Sequence, residues 1–158
     1  MKPNATPEAL LSELRATAEA IDRLAAGLDA VAWQRRPSPD EWSLTEVACH
    51  LRDVECEVHR VRLERIAAGP DAFISPADPD PLVQARAYHE QDGPAALAAF
   101  LAARAETLAF LEALPAEIWD RTARHGLFGT TRFTELVSLI VEHDRAHVQQ
   151  VRQLVAER

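Results

Sequence analysis

The chain has little of the positive charge that binds nucleic acids or anionic membranes. Lysine occurs only at position 2, the 17 basic residues are scattered among 25 acidic ones, and the formal net charge is −8. Proteins that bind phosphate backbones or acidic lipids usually carry a basic patch or a basic segment. We therefore expect no nucleic-acid partner and no membrane partner.

The sequence also lacks long apolar runs and paired cysteines. It contains no stretch of 18 or more apolar residues and no apolar N-terminal segment of the secretory type, which predicts a cytoplasmic protein without a membrane span. Cys49 and Cys56 lie on one predicted helix, about 10 Å apart along its axis, too far for a disulfide within that helix. They are expected to be two free thiols. No glycine-rich phosphate loop or dinucleotide fingerprint is present.

Helical periodicity runs through most of the chain. The 158 residues are 47% apolar, which fits one domain over residues 1–158 with a single sizeable core. Apolar residues recur at helical spacing in four long segments, and no convincing strand is found. The predicted fold class is all-α, a four-helix bundle with helices at about 7–32, 43–69, 94–114 and 131–156.

Capping residues indicate where the first two helices begin. Thr6 precedes Pro7 as an N-cap, and Ser43 with Glu46 forms a capping box. The proline- and acid-rich stretch 70–93 predicts a long crossover between helices two and three, with a short helix at about 83–89. The apolar stripe of the second helix is expected to comprise Leu44, Val47, Leu51, Val54, Val58 and Val61.

Two histidines occupy the apolar stripe of the last helix. His143 and His147 are one helical turn apart, so their side chains lie about 40° apart on one face. Leu136, Ile140 and Val151 define the same stripe. Imidazoles that face a core need partners, because each unpaired buried polar group costs about 1–3 kcal/mol. A shared metal ion would satisfy both rings.

His50 is the best candidate for a third ligand. It lies beside the apolar stripe of the second helix, and it meets the other two imidazoles if helices two and four are neighbours. Three neutral imidazoles leave coordination positions open to water or substrate, as in catalytic metal sites. Imidazole suits zinc, nickel, copper or iron, and the sequence alone does not choose among them.

Other polar residues near these histidines have two explanations each. Glu46 is a candidate fourth ligand, orienting group or general base, although the capping box accounts for it more simply. Gln150 shares the face of His147 and is a candidate contact for water or substrate. Asp144 points about 100° away from His143, which favours a hydrogen-bond or ion-pair partner on the helix flank over a ligand.

The remaining histidines and the tryptophans are expected to have structural roles. His59 is predicted to face solvent and His89 to lie at the surface of the crossover. His125 lies in the glycine-containing connection before the last helix, where an exposed loop position is favoured over a place at the rim of the site. The tryptophans are expected to be core anchors, with Trp42 packed over the first turn of the second helix.

Three segments carry a resemblance to a known family. They are residues 40–51 (DEWSLTEVACHL), 142–152 (EHDRAHVQQVR) and 124–129 (RHGLFG). A Trp-Ser helix start followed by one His, and a last helix with His-x-x-x-His and a following Gln, are the pattern of the family. The chain resembles the DinB-like superfamily, which includes metalloenzymes of the DinB/YfiT type. The likeness extends over the whole chain in length, helix order and crossover.

The resemblance carries several implications. It implies a four-helix bundle with a long crossover, metal ligands at His50, His143 and His147, and a homodimer. Family members with known activity include thiol-dependent transferases that use glutathione, mycothiol or bacillithiol, and a mycothiol-dependent maleylpyruvate isomerase. It therefore implies a divalent transition metal, zinc or nickel first, and a low-molecular-weight thiol as a possible cosubstrate.

The leading hypothesis is a metal-dependent, thiol-dependent S-transferase acting on a small molecule, with Arg124, His125 and Gln150 as candidate substrate contacts. A hydrolase that uses metal-bound water is the nearest variant, and Glu46 is its only clear candidate base. The alternatives outside catalysis are a stress-response protein that binds a metal or ligand without converting it, and a structural bundle with three incidental histidines.

Overall fold

Helices dominate the structure, a computed structural model that describes residues 5–156. The long helical segments form a four-helix bundle with a long connection between the second and third, as the sequence predicts. Two short helices lie in the connections. The helices are α1 (Pro7–Ala25), α2 (Ala30–Gln34), α3 (Leu44–Val54), α4 (Arg60–Ala68), α5 (Leu82–Ala85), α6 (Gly93–Glu112) and α7 (Phe133–Ala156).

The predicted helix starts are confirmed. The Thr6 hydroxyl accepts a hydrogen bond from the Ala9 amide, and Pro7 is the first helical residue. The Ser43 hydroxyl accepts from the Glu46 amide, and the Glu46 carboxylate accepts from the Ser43 amide. This reciprocal capping box holds the start of α3, seven residues before His50.

The first predicted helix is too long. The structure ends α1 at Ala25, and Gly27 turns the chain with a φ of +73°. Asp29 then caps the separate short helix α2 through the Ala32 amide. Left-handed backbone favours glycine, so the single glycine in this stretch ends the helix although the apolar pattern continues.

The second predicted helix contains a π turn at Glu55–His59, between α3 and α4. A π turn contains one residue more than an α turn. After it, the residues that face the core therefore lie one position later in the sequence than a regular α-helical pattern predicts. The predicted stripe is therefore wrong after Val54. Val61 is 44% exposed, whereas His59, Leu63 and Ile66 are buried. His59 was expected in solvent, and the π turn is the reason it faces the core.

A small three-stranded sheet corrects the expectation that strands are absent. It comprises β1 (Phe73–Ile74), β2 (Thr122–His125) and β3 (Gly129–Arg132) in the order β1-β2-β3. The first pair is parallel and the second is an antiparallel hairpin. Strands this short carry almost no periodicity in the sequence. The sheet joins the crossover to the connection before α7, and α7 begins at Phe133 instead of 131.

The core consists of two apolar clusters with a buried polar layer between them. The polar layer comprises Thr17, Glu55, His59, Arg104 and Asp144, one or two from each long helical segment. One cluster packs the second half of α1 against α3 and the end of α7, and the other packs the first half of α1 against α4 and the start of α7.

Helix α6 is apolar around most of its circumference. Within residues 5–156 it is the one helix whose length and composition would suffice to cross a membrane, a test that a core helix of a water-soluble bundle also passes. Its inner face contributes Phe100, Leu108 and the buried Arg104. Cys49 is buried and Cys56 exposed, and both are free thiols, as expected.

Candidate metal centre

Three histidines from two helices meet in the structure. His50 comes from α3, and His143 and His147 come from α7. The Nε2 atom of His143 lies 3.2 Å from Nε2 of His50 and 3.2 Å from Nε2 of His147. One ligand atom from each ring lies within 4.8 Å of the others, which is the separation that a single bound ion needs. The three residues are called the His cluster below.

Hydrogen bonds on the outer side of two rings set the positions of their protons. His147 Nδ1 lies 2.8 Å from Gln150 Oε1, and His143 Nδ1 lies 3.4 Å from Asp144 Oδ1. An amide oxygen and a carboxylate oxygen only accept hydrogen bonds, so both Nδ1 atoms must donate. Whenever these rings are neutral, His143 and His147 therefore carry bare lone pairs on Nε2.

Two bare Nε2 atoms 3.2 Å apart cannot hydrogen-bond to each other. Their lone pairs repel unless a proton or a metal cation lies beside them. Burial, assisted by the neighbouring imidazoles, lowers the pKa of His50 to about 3 and that of His147 to about 4. Both rings are therefore neutral near neutral pH, which is the protonation state that binds metals. The residues present fit a divalent transition ion.

A cavity of about 460 Å³ opens onto the His cluster. Its volume lies in the range of small-molecule sites. The ring of Trp42 forms one wall, stacked at 8° and 6.5 Å on His147 and tilted over His50 at 4.9 Å. The lining residues are Asp40, Glu41, Trp42, His50, Pro79, Asp80, His143, His147 and Gln150.

The model of the DinB superfamily matches residues 13–151 of this chain. The chain belongs to the DinB superfamily. The resemblance inferred from residues 40–51 and 142–152 is thereby confirmed.

One solved structure with the same fold is that of YfiT from Bacillus subtilis. It is described as "a probable metal-dependent hydrolase with an unusual four-helix bundle topology". The likeness covers 99% of this chain and 93% of that one, with a TM-score of 0.84 and 15% sequence identity. At this identity the comparison establishes the fold. No curated protein matches the chain.

In this member of the DinB superfamily a buried ionic network adjoins the His cluster. Arg104 on α6 binds Asp144 on one side and Glu55 on the other, at 2.7 Å from Glu55 Oε2. The Thr17 hydroxyl also donates to Asp144. Burial alone would raise the pKa of Asp144, but the bonds from His143 and Arg104 hold it well below its usual range. Two carboxylates and one guanidinium leave one negative charge, which favours a cation at His143.

His59 is the part of this network that the sequence pattern missed. Its ring meets His143 edge to face at 5.0 Å, and burial lowers its pKa well below the usual value. His59, His143 and Asp144 also lie close enough together to hold an ion. Arg104 binds the same carboxylate, however, and its guanidinium would repel a second cation there. The His cluster is therefore the better site.

Three predicted candidates are not brought to the cavity. Glu46 is buried and held by Arg36 and the Ser43 amide, and these bonds lower its pKa although burial opposes them. Arg124 and His125 lie on β2 and are absent from the cavity lining. His125 Nδ1 accepts from the amides of Leu127 and Phe128, so this histidine closes the β2–β3 turn. Gln150 is the predicted contact that does reach the cavity.

The walls of the cavity come from loops that sequence patterns did not connect with the site. Asp40, Glu41 and Trp42 precede α3, and Pro79 and Asp80 belong to the crossover. Trp42 was expected to cover the first turn of its own helix, and the structure also stacks it on His147 of α7. The signals in the sequence were its position eight residues before His50 and the Trp-Ser helix start of the family pattern.

Proposed function

We propose that this protein is a metal-dependent enzyme that acts on a small molecule, and that it is a thiol-dependent S-transferase. One observation carries the proposal. The two acceptors Gln150 and Asp144 point the lone pairs of His143 and His147 at each other, beside His50, on the floor of a cavity of about 460 Å³. This arrangement allows a cation to bind at the base of the cavity while a small-molecule ligand occupies the space above it.

The donor set supports zinc or nickel and an open coordination sphere. Three neutral imidazoles are typical of catalytic sites in which the remaining positions take water or substrate. When bound, a divalent ion would supply Lewis-acid chemistry and would lower the pKa of a water or thiol ligand. His50, His143 and His147 would hold it.

The other residues of the cavity would position the reactants. Gln150 keeps the proton of His147 on Nδ1, and Asp144 does the same for His143. Trp42 covers His147 and His50 and so shields part of the cluster from water. Glu46 is held in its bonds to Arg36 and Ser43, so it does not serve as a base. A thiol nucleophile needs no protein base at this site, because coordination to a metal would itself deprotonate the thiol.

Hydrolysis is the second candidate. Two observations favour it: the shared fold with YfiT, described as a probable metal-dependent hydrolase, and the carboxylates of Asp40, Glu41 and Asp80 in the cavity lining. One of these carboxylates would then accept the proton of the attacking water.

Metal content tests the common basis of both candidates. Plasma mass spectrometry on untagged protein should find about one zinc or nickel per chain in the wild type and little in His147→Ala. His89→Ala is the matched control, because His89 is half-exposed and outside the cavity lining, and this variant should keep its metal. Absence of metal in the wild type after incubation with zinc and with nickel would overturn the proposal.

Turnover then separates the two candidates. The metal-loaded protein is mixed with 1-chloro-2,4-dinitrobenzene and a set of thiols, and separately with p-nitrophenyl acetate. Metal-dependent thioether formation that disappears in His147→Ala supports the transferase. Metal-dependent ester cleavage without any thiol requirement favours the hydrolase instead.

A further inference from the structure

The mouth of the cavity carries charge of one sign. Asp40, Glu41 and Asp80 line it, and all three are exposed. Among the described residues 5–156, no lysine or arginine belongs to the cavity lining. A ligand that enters therefore passes three carboxylates and no basic side chain.

The guanidinium of Arg36 does not offset these acids. A neighbouring cavity of about 450 Å³ shares Asp40, Glu41 and Asp80 with the first and also contains Arg36. Arg36 is bound through two nitrogens to the buried Glu46 carboxylate, at 2.6 and 2.9 Å. The charge of Arg36 is thus matched by that of Glu46, so the three carboxylates at the mouth leave an excess of negative charge around the two neighbouring cavities.

An aromatic ring lies between the acids and the His cluster. Trp42 is half-buried, and it contacts both cavities. The face of an indole attracts ammonium and guanidinium groups, most strongly where water is partly excluded. Indole and carboxylates together make the mouth suited to a cation. His50, of which only 3% is exposed, lies at the other end with its Nδ1 atom unpartnered.

We propose that the substrate of this cavity carries a positively charged ammonium or guanidinium group. The charged end lies at the mouth among Asp40, Glu41 and Asp80, and the reacting end reaches the His cluster. This inference rests on the proposed function and narrows it. Thiols with a net negative charge, such as glutathione, are poor cosubstrates for such a mouth, and neutral or cationic thiols are better ones.

Three hydroxamates that differ only in charge test this inference. They are para-aminomethyl benzohydroxamate, benzohydroxamate and para-carboxy benzohydroxamate, which are cationic, neutral and anionic at neutral pH. The hydroxamate group binds zinc and leaves the para substituent toward the mouth. Titration calorimetry on the zinc-loaded protein should give the order cationic, neutral, anionic, each step about three- to tenfold in Kd at low salt. Added salt should reduce the differences among the three Kd values, because it screens the charges at the mouth.

A charge-neutral mouth provides the decisive variant. In Asp40→Asn/Glu41→Gln/Asp80→Asn the three affinities should converge to within about twofold of one another. The matched control, Glu8→Gln/Asp22→Asn/Glu117→Gln, changes the net charge equally at exposed positions outside this cavity. It should keep the wild-type order, which separates a local effect from the total charge of the protein.

The outcomes distinguish this inference from the proposed function. Zinc retention with equal or reversed affinities for the three probes overturns the cationic substrate and leaves the metal centre standing. Zinc retention without binding of any probe also overturns it, because the cavity would then not connect the mouth to the ion. A protein that retains no zinc overturns the proposed function itself, together with the inference that rests on it.

Discussion

Single acceptor atoms decide what the His cluster can bind. The amide oxygen of Gln150 holds the proton of His147 on Nδ1 and leaves Nε2 free for a metal. Residues that orient a metal-binding histidine typically contribute 10–100-fold to metal affinity. The His-x-x-x-His spacing shows where the rings lie along the helix, whereas the acceptors behind them determine which nitrogen carries the lone pair.

The variant Gln150→Leu should weaken zinc binding by about tenfold. Leucine fills a similar volume but offers no acceptor, so the His147 ring loses its fixed proton position. Competition with a chromophoric chelator measures the Kd. Gln149→Leu is the control, since Gln149 is exposed on the same helix and should leave the Kd unchanged. Equal Kd values for the two variants would contradict this role of Gln150.

The histidine pKa values predict how the metal-free protein responds to acid. Burial lowers the pKa of His50 from 6.5 to about 3 and that of His147 from 6.5 to about 4. The unfolded chain then binds more protons than the folded one below pH 6.5. The stability that the two neutral rings contribute is therefore fully present above pH 6.5. It is lost as the pH falls toward the pKa values of His50 and His147 in the folded protein.

Urea unfolding of the metal-free protein between pH 6.5 and 5 measures this effect. Each buried ring should reduce the free energy of unfolding by up to about 1.4 kcal/mol per pH unit. The ordinary pKa values of carboxylates lie below this pH range, so histidines dominate the pH dependence of the free energy of unfolding within it. The variant His147→Gln should show a shallower slope than the wild type. A flat wild-type profile would mean that the rings are not buried as neutral groups.

At the scale of elements, the π turn at Glu55–His59 separates what could be predicted from what could not. The capping box of α3 and the apolar stripe up to Val54 are local features, and both were predicted correctly. One extra residue in a helical turn leaves no mark in composition or capping. The faces of His59 and Val61 were for that reason misassigned.

Deletion of the exposed Cys56 should be tolerated. The deletion converts the π turn into an α turn. His59, Leu63 and Ile66 lie one position later than a regular α-helix would place core-facing residues, so the removal of one residue before them keeps them on the inner face. We expect a loss of less than about 2 kcal/mol in the free energy of unfolding.

The control for this deletion removes the exposed Ala99 from α6. That deletion rotates the rest of a regular helix by about 100° and turns Arg104, Leu108 and Leu111 off the core. It should cost more than about 4 kcal/mol. Thermal unfolding followed by circular dichroism compares the two, and equal losses would contradict the account of the π turn.

At the scale of the whole molecule, the site depends on contacts between distant parts of the chain. His50 and His143 are 93 residues apart in sequence. Helical periodicity placed both on or beside core-facing stripes, and the expectation that they meet depended on helices two and four being neighbours, which the family resemblance implied. Helical periodicity could not predict the cavity walls, because Trp42 and Asp80 occupy irregular segments whose paths depend on tertiary packing. The homodimer and the cytoplasmic location stay predictions, and light scattering after gel filtration tests the first.

Metal removal should destabilise the whole bundle. An ion at the His cluster would join α3 to α7 in the native state alone, which adds about 2.7 kcal/mol when the free ion is at 100 times its Kd. A chelator should therefore lower the Tm of the zinc-loaded protein by about 5–10 °C. His147→Ala should show no response to the chelator. A wild-type Tm that ignores both zinc and chelator would contradict a site between the helices.

The polar layer between the two apolar clusters also has a consequence for genetics. Sliding α7 by one turn, about 5.4 Å, would part Asp144 from Arg104, which stays paired with Glu55, and would leave the Asp144 carboxylate buried without its guanidinium. The layer thus admits one register of the helices. A screen for lost activity should accordingly return two phenotypes from neighbouring positions: soluble, inactive protein from His143, and insoluble protein from Arg104.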